Sequence, residues 1–358
     1  MRDPVEVSWF SALCDDDYQY LGVVDPALRS SYAHCRDIVL RAQRHGFDNV
    51  LLPSGYQLGV DSIAFAGAIA PEVVDPMRLL VAVRCGELWP PQLVRQLATL
   101  QAMLTGRLTV NIISSDLPGE TLPSAPRYQR TLEVMQILRT LFEGRPLDHH
   151  GEFYDLELEP PNAVGSASTC PPLYFGGLSD DARDVAARAA DVYLMWPDTE
   201  AGIAEIIADL TRRAAEYGRT LRFGYRVHTI VRETESAARA AAATLVSRLD
   251  DDEGERIRSR SLDSQSVGVR RQAELRDQAT ADDGFVEDNL WTGIGRARSG
   301  CGAALVGDPD QIVAKLERYR SLGIDAFIFS GYPHLDACDR FGRDVLGRLD
   351  HGPLTLDV

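Results

Sequence analysis

Short apolar runs alternate with helical patterns along the whole chain. Eight of these runs predict strands, and most are continuous rather than alternating, which is typical of parallel strands covered by helices. The predicted strands are residues 6–10, 49–52, 79–84, 109–113, 173–175, 192–196, 223–231 and 326–330. Strand–helix alternation repeated eight times predicts a closed (β/α)8 TIM barrel rather than a doubly wound sheet.

Two long insertions interrupt the repeat within what we predict to be a single domain over residues 1–358. Residues 114–172 contain a predicted helix at 128–142 and a hairpin that begins at Asp148. Residues 250–290 are polar, acidic at their start and rich in arginine. A segment of this length in a compact domain is usually a lid or disordered. We interpret it as a mobile lid, because it separates two candidate site segments.

The composition limits the classes of partner. The formal net charge of −16 argues against nucleic acid or an anionic membrane as a partner. The chain opens directly into the first predicted strand, without a charged and then apolar leader, so we expect a cytoplasmic protein. Lys315 is the only lysine among the 37 basic residues, so any anion site must use arginine or histidine.

Polar and cationic side chains cluster at the ends of the last strands. Arg226 and His228 are two residues apart in the seventh strand and therefore point to the same face. Arg298, Tyr332 and His334 follow. Together they predict a strongly positive pocket for a small anion at the C-terminal mouth of the barrel, where the chemistry of this fold resides. The alternative interpretation is a set of salt bridges across the rim.

A glycine pair follows the fifth strand. Gly176 and Gly177 precede Ser179, which opens a helix. Glycines allow backbone N–H groups to approach a phosphate, and a helix N-terminus favours an anion. A tight turn with Ser179 as an ordinary N-cap explains the pattern nearly as well. Asn111 and Trp196 also end strands, and Trp196 is a candidate to line a flat cofactor.

Several longer stretches carry a resemblance to a known family. They are Val50-Leu-Leu-Pro-Ser-Gly, Arg95-Gln-x-Ala-Thr-Leu, Pro172-Leu-Tyr-Phe-Gly-Gly, Asp191-x-Tyr-Leu-x-Trp, Arg222-Phe-Gly-x-Arg-x-His, Asn289-Leu-Trp, Ala304-Leu-Val-Gly-Asp and Ser330-Gly-Tyr-Pro-His-Leu. Through these stretches the chain resembles, over nearly its full length, the FMNH2-dependent alkanesulfonate monooxygenases of the bacterial-luciferase-like superfamily. The last three stretches together are specific to the sulfonate branch.

The resemblance implies a (β/α)8 barrel enzyme that takes reduced FMN from a separate NAD(P)H:flavin reductase and uses O2 to release sulfite and an aldehyde from an organosulfonate. It implies flavin and phosphate binding by Asn111, Tyr128, Gly176, Gly177 and Ser179. It also implies sulfonate binding and catalysis by the residues Arg226, His228, Arg298 and Tyr332, with further substrate contacts from His334 and Trp196. A homo-oligomer, dimer or tetramer, is expected, and no metal.

Three regions depart from the family pattern. Cys14 stands where the family usually has a histidine, Leu58 lies in an altered loop after the second strand, and Cys85–Trp89 replaces the usual sequence after the third. The anion end is intact while the surrounding wall has changed, so the reaction type is predicted better than the substrate. Two alternatives stay open: a luciferase-like oxidoreductase with a different substrate or a deazaflavin, and a flavin-binding protein without turnover.

Overall fold

The computed structural model describes residues 3–165, 169–259, 262, 266–279 and 283–356. Strands and helices are numbered here in chain order. The barrel strands are β1 (Glu6–Phe10), β2 (Asn49–Leu52), β3 (Arg78–Arg84), β4 (Leu108–Ile113), β7 (Leu173–Phe175), β8 (Val192–Met195), β9 (Arg222–Val231) and β13 (Ala326–Ser330). The strands outside the barrel are β5 (Leu147–His150), β6 (Asp155–Leu158), β10 (Phe285–Glu287), β11 (Leu290–Trp291) and β12 (Ala304–Gly307).

The eight parallel strands close into a barrel in the order β13-β1-β2-β3-β4-β7-β8-β9, and β9 returns to β13. All five residues of β1 and all five of β13 are buried, as expected for strands between a filled interior and outer helices. The predicted TIM barrel is confirmed, and each predicted strand is found within one residue at either end.

Eleven α-helices are described. They are α1 (Tyr32–His45), α2 (Ser62–Ile69), α3 (Pro90–Met103), α4 (Ser124–Phe142), α5 (Asp180–Ala189), α6 (Glu200–Glu216), α7 (Glu235–Val246), α8 (Asp251–Ser259), α9 (Val267–Gln278), α10 (Pro309–Leu322) and α11 (His334–Asp344). Local signals set their ends. Asp308 and Gln311 form a reciprocal capping box at the start of α10, and Gly323 ends it in the left-handed conformation.

The first insertion packs a hairpin against a helix. Strands β5 and β6 pair antiparallel, and α4 begins four residues before the predicted start of its helix. The buried carboxylate of Glu133 on α4 accepts the backbone N–H groups of Glu152, Phe153 and Tyr154. These bonds hold the hairpin turn on the helix. Residues 166–168 of this insertion lie outside the described part of the chain.

The second insertion differs from the unstructured segment that its polar sequence suggested. It contains α8 and α9, and the strands β10 and β11 then extend the barrel sheet through β12, which lies parallel to the end of β9. Polar bonds to the loop after β8 hold α9, and α8 bonds to Arg296 and packs Ile257 against a small apolar cluster. Residues 260–261, 263–265 and 280–282 lie outside the described residues, so the predicted mobility of the lid stays a prediction.

The N-terminal end of the barrel is closed by a buried polar network. Glu6 is fully buried and accepts hydrogen bonds from the Tyr174 hydroxyl at 2.7 Å, the Asn49 amide at 3.3 Å and the backbone N–H of Leu354 at 3.2 Å. Arg78 donates to the Leu354 carbonyl at 2.7 Å. The C-terminal segment therefore plugs the floor of the barrel. None of the described helices is long and apolar enough to span a membrane.

Candidate active site

A cavity of about 600 Å³ opens at the C-terminal ends of the barrel strands. Its wall is built from the ends of β1 to β4 and β7 to β9, the loops that follow them, and residues of the second insertion. This size is within the usual range for a site that encloses a cofactor and a small ligand. The mouth of the barrel is thus the candidate active site, as the position of the predicted residues required.

Nine of the eleven predicted site residues line this cavity. They are Asn111, Tyr128, Gly176, Gly177, Ser179, Trp196, Arg226, Arg298 and Tyr332. The other two, His228 and His334, are 1% and 0% exposed and lie behind the cavity wall. The predictions from the sequence therefore identified the correct strand ends but did not distinguish side chains that reach the cavity from those that lie behind its wall.

Two arginines converge at one end of the cavity. The guanidinium carbon of Arg226 lies 4.4 Å from the centre of the Phe10 ring, and that of Arg298 lies 5.5 Å from the same ring. The aromatic face lies within the distance at which it stabilises both cations. Two cations held beside one ring form a preorganised site for an anionic group.

The two arginines differ in their partners. Arg298 donates to the carboxylate of Asp16 at 2.6 Å and to the Tyr332 hydroxyl oxygen at 3.1 Å. Although burial opposes it, the charge and hydrogen bond of Asp16 hold the pKa of Arg298 well above its usual value. Burial raises the pKa of the Tyr332 phenol, so this hydroxyl keeps its proton and can donate it to a ligand. Arg226 has no carboxylate within hydrogen-bond distance in the described residues.

Ser330 links Arg226 to His228. Arg226 Nη2 donates to Ser330 Oγ at 2.8 Å, and Ser330 Oγ lies 2.7 Å from His228 Nδ1. Burial, reinforced by the charges of Arg226 and Arg298, holds the pKa of His228 well below its usual value. The ring is therefore neutral. We assign the hydroxyl proton of Ser330 to the bond with Nδ1, which leaves the ring proton on the buried Nε2.

His334 is held in a similar way. Its Nδ1 lies 3.0 Å from the Phe10 carbonyl oxygen, and its backbone N–H donates to Asp17 at 2.9 Å. Burial lowers its pKa despite the opposing charge of Asp17. The prediction that two histidines add positive charge to the pocket is therefore wrong. Both are buried and neutral, and the charge comes from arginine.

The turn after β7 has the geometry of a phosphate cradle. A Cβ atom at Gly176 would lie 2.0 Å from the Leu194 carbonyl oxygen, and Gly177 has a φ of +150°. Tyr193 fixes the turn from below by donating to the Gly177 carbonyl at 2.7 Å. Ser179 caps α5 by accepting from the Ala182 N–H at 3.2 Å. The cap confirms Ser179 as a structural residue and leaves the phosphate role as a prediction.

The residues present fit a flavin phosphate at this turn. Arg127 lines the cavity beside Tyr128, with its guanidinium carbon 5.2 Å from the centre of that ring, and its buried Nε has no hydrogen-bond partner in the part of the chain that the structure describes. A phosphate would supply the missing acceptor. Sequence reasoning missed Arg127, although it directly precedes Tyr128 in the chain.

The cavity is positive although the chain is acidic. Among the described residues five arginines line it, Arg84, Arg127, Arg226, Arg270 and Arg298, against two carboxylates, Asp15 and Asp16. The sequence offered one signal that could have found Arg84, because a charged residue at the C-terminal end of an apolar parallel strand faces the mouth. No comparable signal singles out Asp16 from its neighbours in the Asp15–Asp17 run.

The second insertion forms one wall of the cavity and is fastened to the barrel. Arg271 on α9 makes two hydrogen bonds of 2.7 Å to the carboxylate of Asp198, which follows β8. Gln272 donates to the Pro197 carbonyl at 2.7 Å. Trp196 fits closely against two glycines of this region, because a Cβ at Gly268 or Gly300 would come within 3.0 or 3.2 Å of its ring.

The three regions that depart from the family pattern occupy different places. Cys14 and Leu58 line the cavity, whereas the Cys85–Trp89 segment does not. Burial raises the pKa of the Cys14 thiol, so it remains protonated and is not an activated nucleophile. Trp89 is 56% exposed and contacts Tyr154 of the hairpin edge to face. The changed wall therefore centres on the loops after β1 and β2.

A family model described as luciferase-like monooxygenase matches residues 6–326. The chain belongs to the luciferase-like monooxygenase family. A sulfoquinovose monooxygenase from Novosphingobium aromaticivorans is 61% identical over 358 residues, which is 98% of each chain. A second protein of that name, from Agrobacterium fabrum, is 52% identical and is matched over 97% of this chain and 90% of its own.

Solved structures of low identity share the fold. The structure of an EDTA monooxygenase from Chelativorans sp. BNC1 superposes with a TM-score of 0.76 over 97% of this chain and 93% of its own, at 18% identity.

Membership of the luciferase-like family, predicted from the sequence stretches, is confirmed by the match to the family model. The narrower prediction of an alkanesulfonate type is not supported, because both curated relatives are named for sulfoquinovose.

Proposed function

We propose that this luciferase-like monooxygenase uses reduced FMN and O2 to cleave the carbon–sulfur bond of sulfoquinovose, a glucose derivative whose sixth carbon carries a sulfonate. One observation carries the proposal. The cavity combines a two-arginine anion end with further polar side chains on its wall, among them Asp16, Arg84 and Ser114, in a chain that is 61% identical to a sulfoquinovose monooxygenase.

The sulfonate would bind between Arg226 and Arg298. Three sulfonate oxygens can accept from both guanidinium groups, and the buried setting makes each bond stronger than it would be in water. Arg226 lies 3% exposed and contacts Ser330 rather than a carboxylate, so its charge is available to the ligand. Tyr332 can donate a further hydrogen bond at the same end.

The residues that would hold FMN are Asn111, Arg127, Tyr128, Gly176, Gly177 and Ser179. When bound in its reduced form, the flavin supplies two electrons and activates O2 for transfer of one oxygen atom. The electrons must come from outside, so we propose a separate NAD(P)H:flavin reductase as the partner.

The net reaction balances with one O2 and one reduced flavin. The carbon that bears the sulfonate is oxidised to an aldehyde, its bond to sulfur breaks, and bisulfite, water and oxidised FMN are released. Arg226 and Arg298 would stabilise the negative charge on the leaving sulfite. The neutral His228, coupled to Arg226 through Ser330, would keep that guanidinium oriented without adding charge.

A coupled assay tests the proposal. The protein is incubated with FMN, a flavin reductase, NADH and either sulfoquinovose or alkanesulfonates of increasing length, and sulfite is measured. Sulfite release from sulfoquinovose that depends on the protein, on FMN and on O2 is expected. Oxygen uptake that yields only hydrogen peroxide with every sulfonate would overturn the proposal and would favour a luciferase-like oxidoreductase with another substrate.

A further inference from the structure

Two buried side chains on one side of the cavity carry polar atoms without partners. Arg84 ends β3 and is 6% exposed; its Nε is ion-paired with Glu87, and its Nη1 makes no hydrogen bond within the described chain. Asp16 follows β1 and is 8% exposed, and its Oδ1 is likewise unpaired. Both residues line the cavity. Buried polar groups in proteins almost always have partners, so a ligand is the natural source of the missing ones.

Asp16 is fixed at the anion end. Its Oδ2 accepts from Arg298 at 2.6 Å, which sets the orientation of the carboxylate and leaves Oδ1 to accept a hydrogen bond from a ligand. A negatively charged ligand group would be repelled at this atom, and an alkyl group would leave it unsatisfied. A hydroxyl group donates to it.

Arg84 presents donors on the same wall. Its Nε is ion-paired with Glu87 at 3.1 Å and its Nη2 is 3.5 Å from the Ser54 carbonyl oxygen, which leaves Nη1 as the donor without a partner in the described chain. The hydroxyl of Ser114, which follows β4 and also lines the cavity, is a third buried group without a partner. These groups offer donors, where Asp16 offers an acceptor.

An acceptor and several donors on one wall match the chemistry of a polyol. Each hydroxyl group both donates and accepts one or more hydrogen bonds, so neighbouring hydroxyls can satisfy Asp16 and Arg84 together. We propose that Asp16 and Arg84 bind ring hydroxyls of the substrate and thereby select a polyhydroxylated sulfonate over a plain alkyl sulfonate. This inference rests on the proposed function and extends it to named specificity residues. Asp16 takes the hydroxyl nearer the sulfonate, because it also contacts Arg298.

The test compares two substrates that share the sulfonate. Wild-type protein is assayed for sulfite release from sulfoquinovose and from hexane-1-sulfonate, which lacks the hydroxyls, and the ratio of the two kcat/KM values is taken. We expect sulfoquinovose to be preferred by at least about 100-fold, because an alkyl ligand leaves Asp16 Oδ1 and Arg84 Nη1 without hydrogen-bond partners. Where hexane-1-sulfonate is not turned over, its inhibition constant against sulfoquinovose replaces its kcat/KM.

Two variants remove the hydroxyl partners and one serves as a control. Arg84→Met keeps the length of the side chain without its donors, and Asp16→Asn keeps an oxygen for Arg298 while replacing the free acceptor with an amide donor. Each should lower kcat/KM for sulfoquinovose roughly 10- to 100-fold and lower the preference ratio by a similar factor. Arg226→Met, at the sulfonate end, should lower kcat/KM for both substrates by a similar factor and leave the preference ratio unchanged.

The outcomes separate the inference from the proposed function. Sulfite release from sulfoquinovose with an unchanged ratio in folded Arg84→Met and Asp16→Asn would overturn the inference alone. A wild-type protein that treats both sulfonates equally would do the same without any variant. A loss of FMN affinity in Arg84→Met with an unchanged ratio would reassign Arg84 to the flavin. No sulfite from sulfoquinovose in wild type would overturn both.

Discussion

The two ends of the barrel treat buried polar groups in opposite ways. At the floor, the Glu6 carboxylate accepts from Tyr174, Asn49 and the backbone of Leu354, and the C-terminal segment seals it from solvent. At the mouth, Asp16, Arg84 and Arg127 carry buried atoms without partners. The Glu6 network is satisfied within the chain itself, whereas these three residues at the mouth carry atoms that a ligand can pair. This difference separates residues kept for stability from residues kept for chemistry.

The largest expected effect is at the anion end of the mouth. Arg226→Ala and Arg298→Ala should each lower the rate of sulfite release roughly 10²–10³-fold, the usual effect of removing a preorganised donor from a site with little water. Arg226→Lys should also lose most activity, because lysine offers a point charge and not a planar pair of donors. If both folded alanine variants keep near-normal sulfite release, the cluster is not an anion site and the alternative of salt bridges across the rim is favoured.

The floor should show the converse behaviour. Glu6→Ala leaves the Tyr174 hydroxyl, the Asn49 amide and the Leu354 N–H without their acceptor, which should lower the free energy of unfolding by about 3 kcal/mol. Denaturant unfolding measures this. The kcat of the remaining folded protein should be close to that of wild type. A catalytic defect without a loss of stability would contradict the division between the two ends.

The phosphate cradle can be tested with two forms of the cofactor. Arg127→Met should weaken binding of reduced FMN by about 10-fold, the value of a charge-assisted hydrogen bond, and should not weaken binding of reduced riboflavin, which has no phosphate. Anaerobic fluorescence titration gives both affinities. An equal loss for the two flavins would place Arg127 against the ring instead. We also expect wild type to bind reduced FMN more tightly than oxidised FMN.

The second insertion should behave as a lid hinged on the barrel rim. Arg271→Met removes a two-bond contact with Asp198 and should raise KM by roughly 3- to 5-fold with little change in stability. Limited proteolysis within residues 250–290 should be slowed by reduced FMN with sulfoquinovose in wild type, and less so in the variant. Arg212→Met, which breaks an exposed ion pair with Glu216 on α6, is the matched control.

The buried histidines should make the folded protein slightly less stable at acidic pH. Because His228 stays neutral in the folded protein while the unfolded chain titrates near pH 6.5, the unfolded state binds more protons in acid, and stability falls as the pH falls below that value. For His228 alone, the free energy of unfolding should fall by roughly 0.7 kcal/mol between pH 7 and pH 6. His228→Asn should remove it. Replacing the exposed His150, whose pKa is raised by Asp155, should not.

The sequence predicted the barrel well because continuous apolar runs and helix caps are local signals. The ends of β1, β2, β7 and β13 were predicted to the residue. The sequence predicted less of the mouth, because the exposure of its side chains and their hydrogen-bond partners are set only when strand ends from distant parts of the chain meet. Thus His228 resembled a ligand-binding residue but lies behind Ser330, and Asp16 could not be singled out within its acidic run. Helix α9 of the second insertion was missed because polar bonds to the loop after β8 hold it, and such bonds leave no apolar period in the sequence.

A single turnover without a reductase tests most directly whether the protein cleaves the carbon–sulfur bond of sulfoquinovose with reduced FMN and O2. FMN is reduced by light under anaerobic conditions, mixed with the protein and sulfoquinovose, and then exposed to O2, and sulfite is measured against flavin. We expect close to one sulfite per reduced flavin when protein is in excess, and almost none with Arg226→Ala. Complete reoxidation of the flavin to hydrogen peroxide without sulfite in wild type would contradict it.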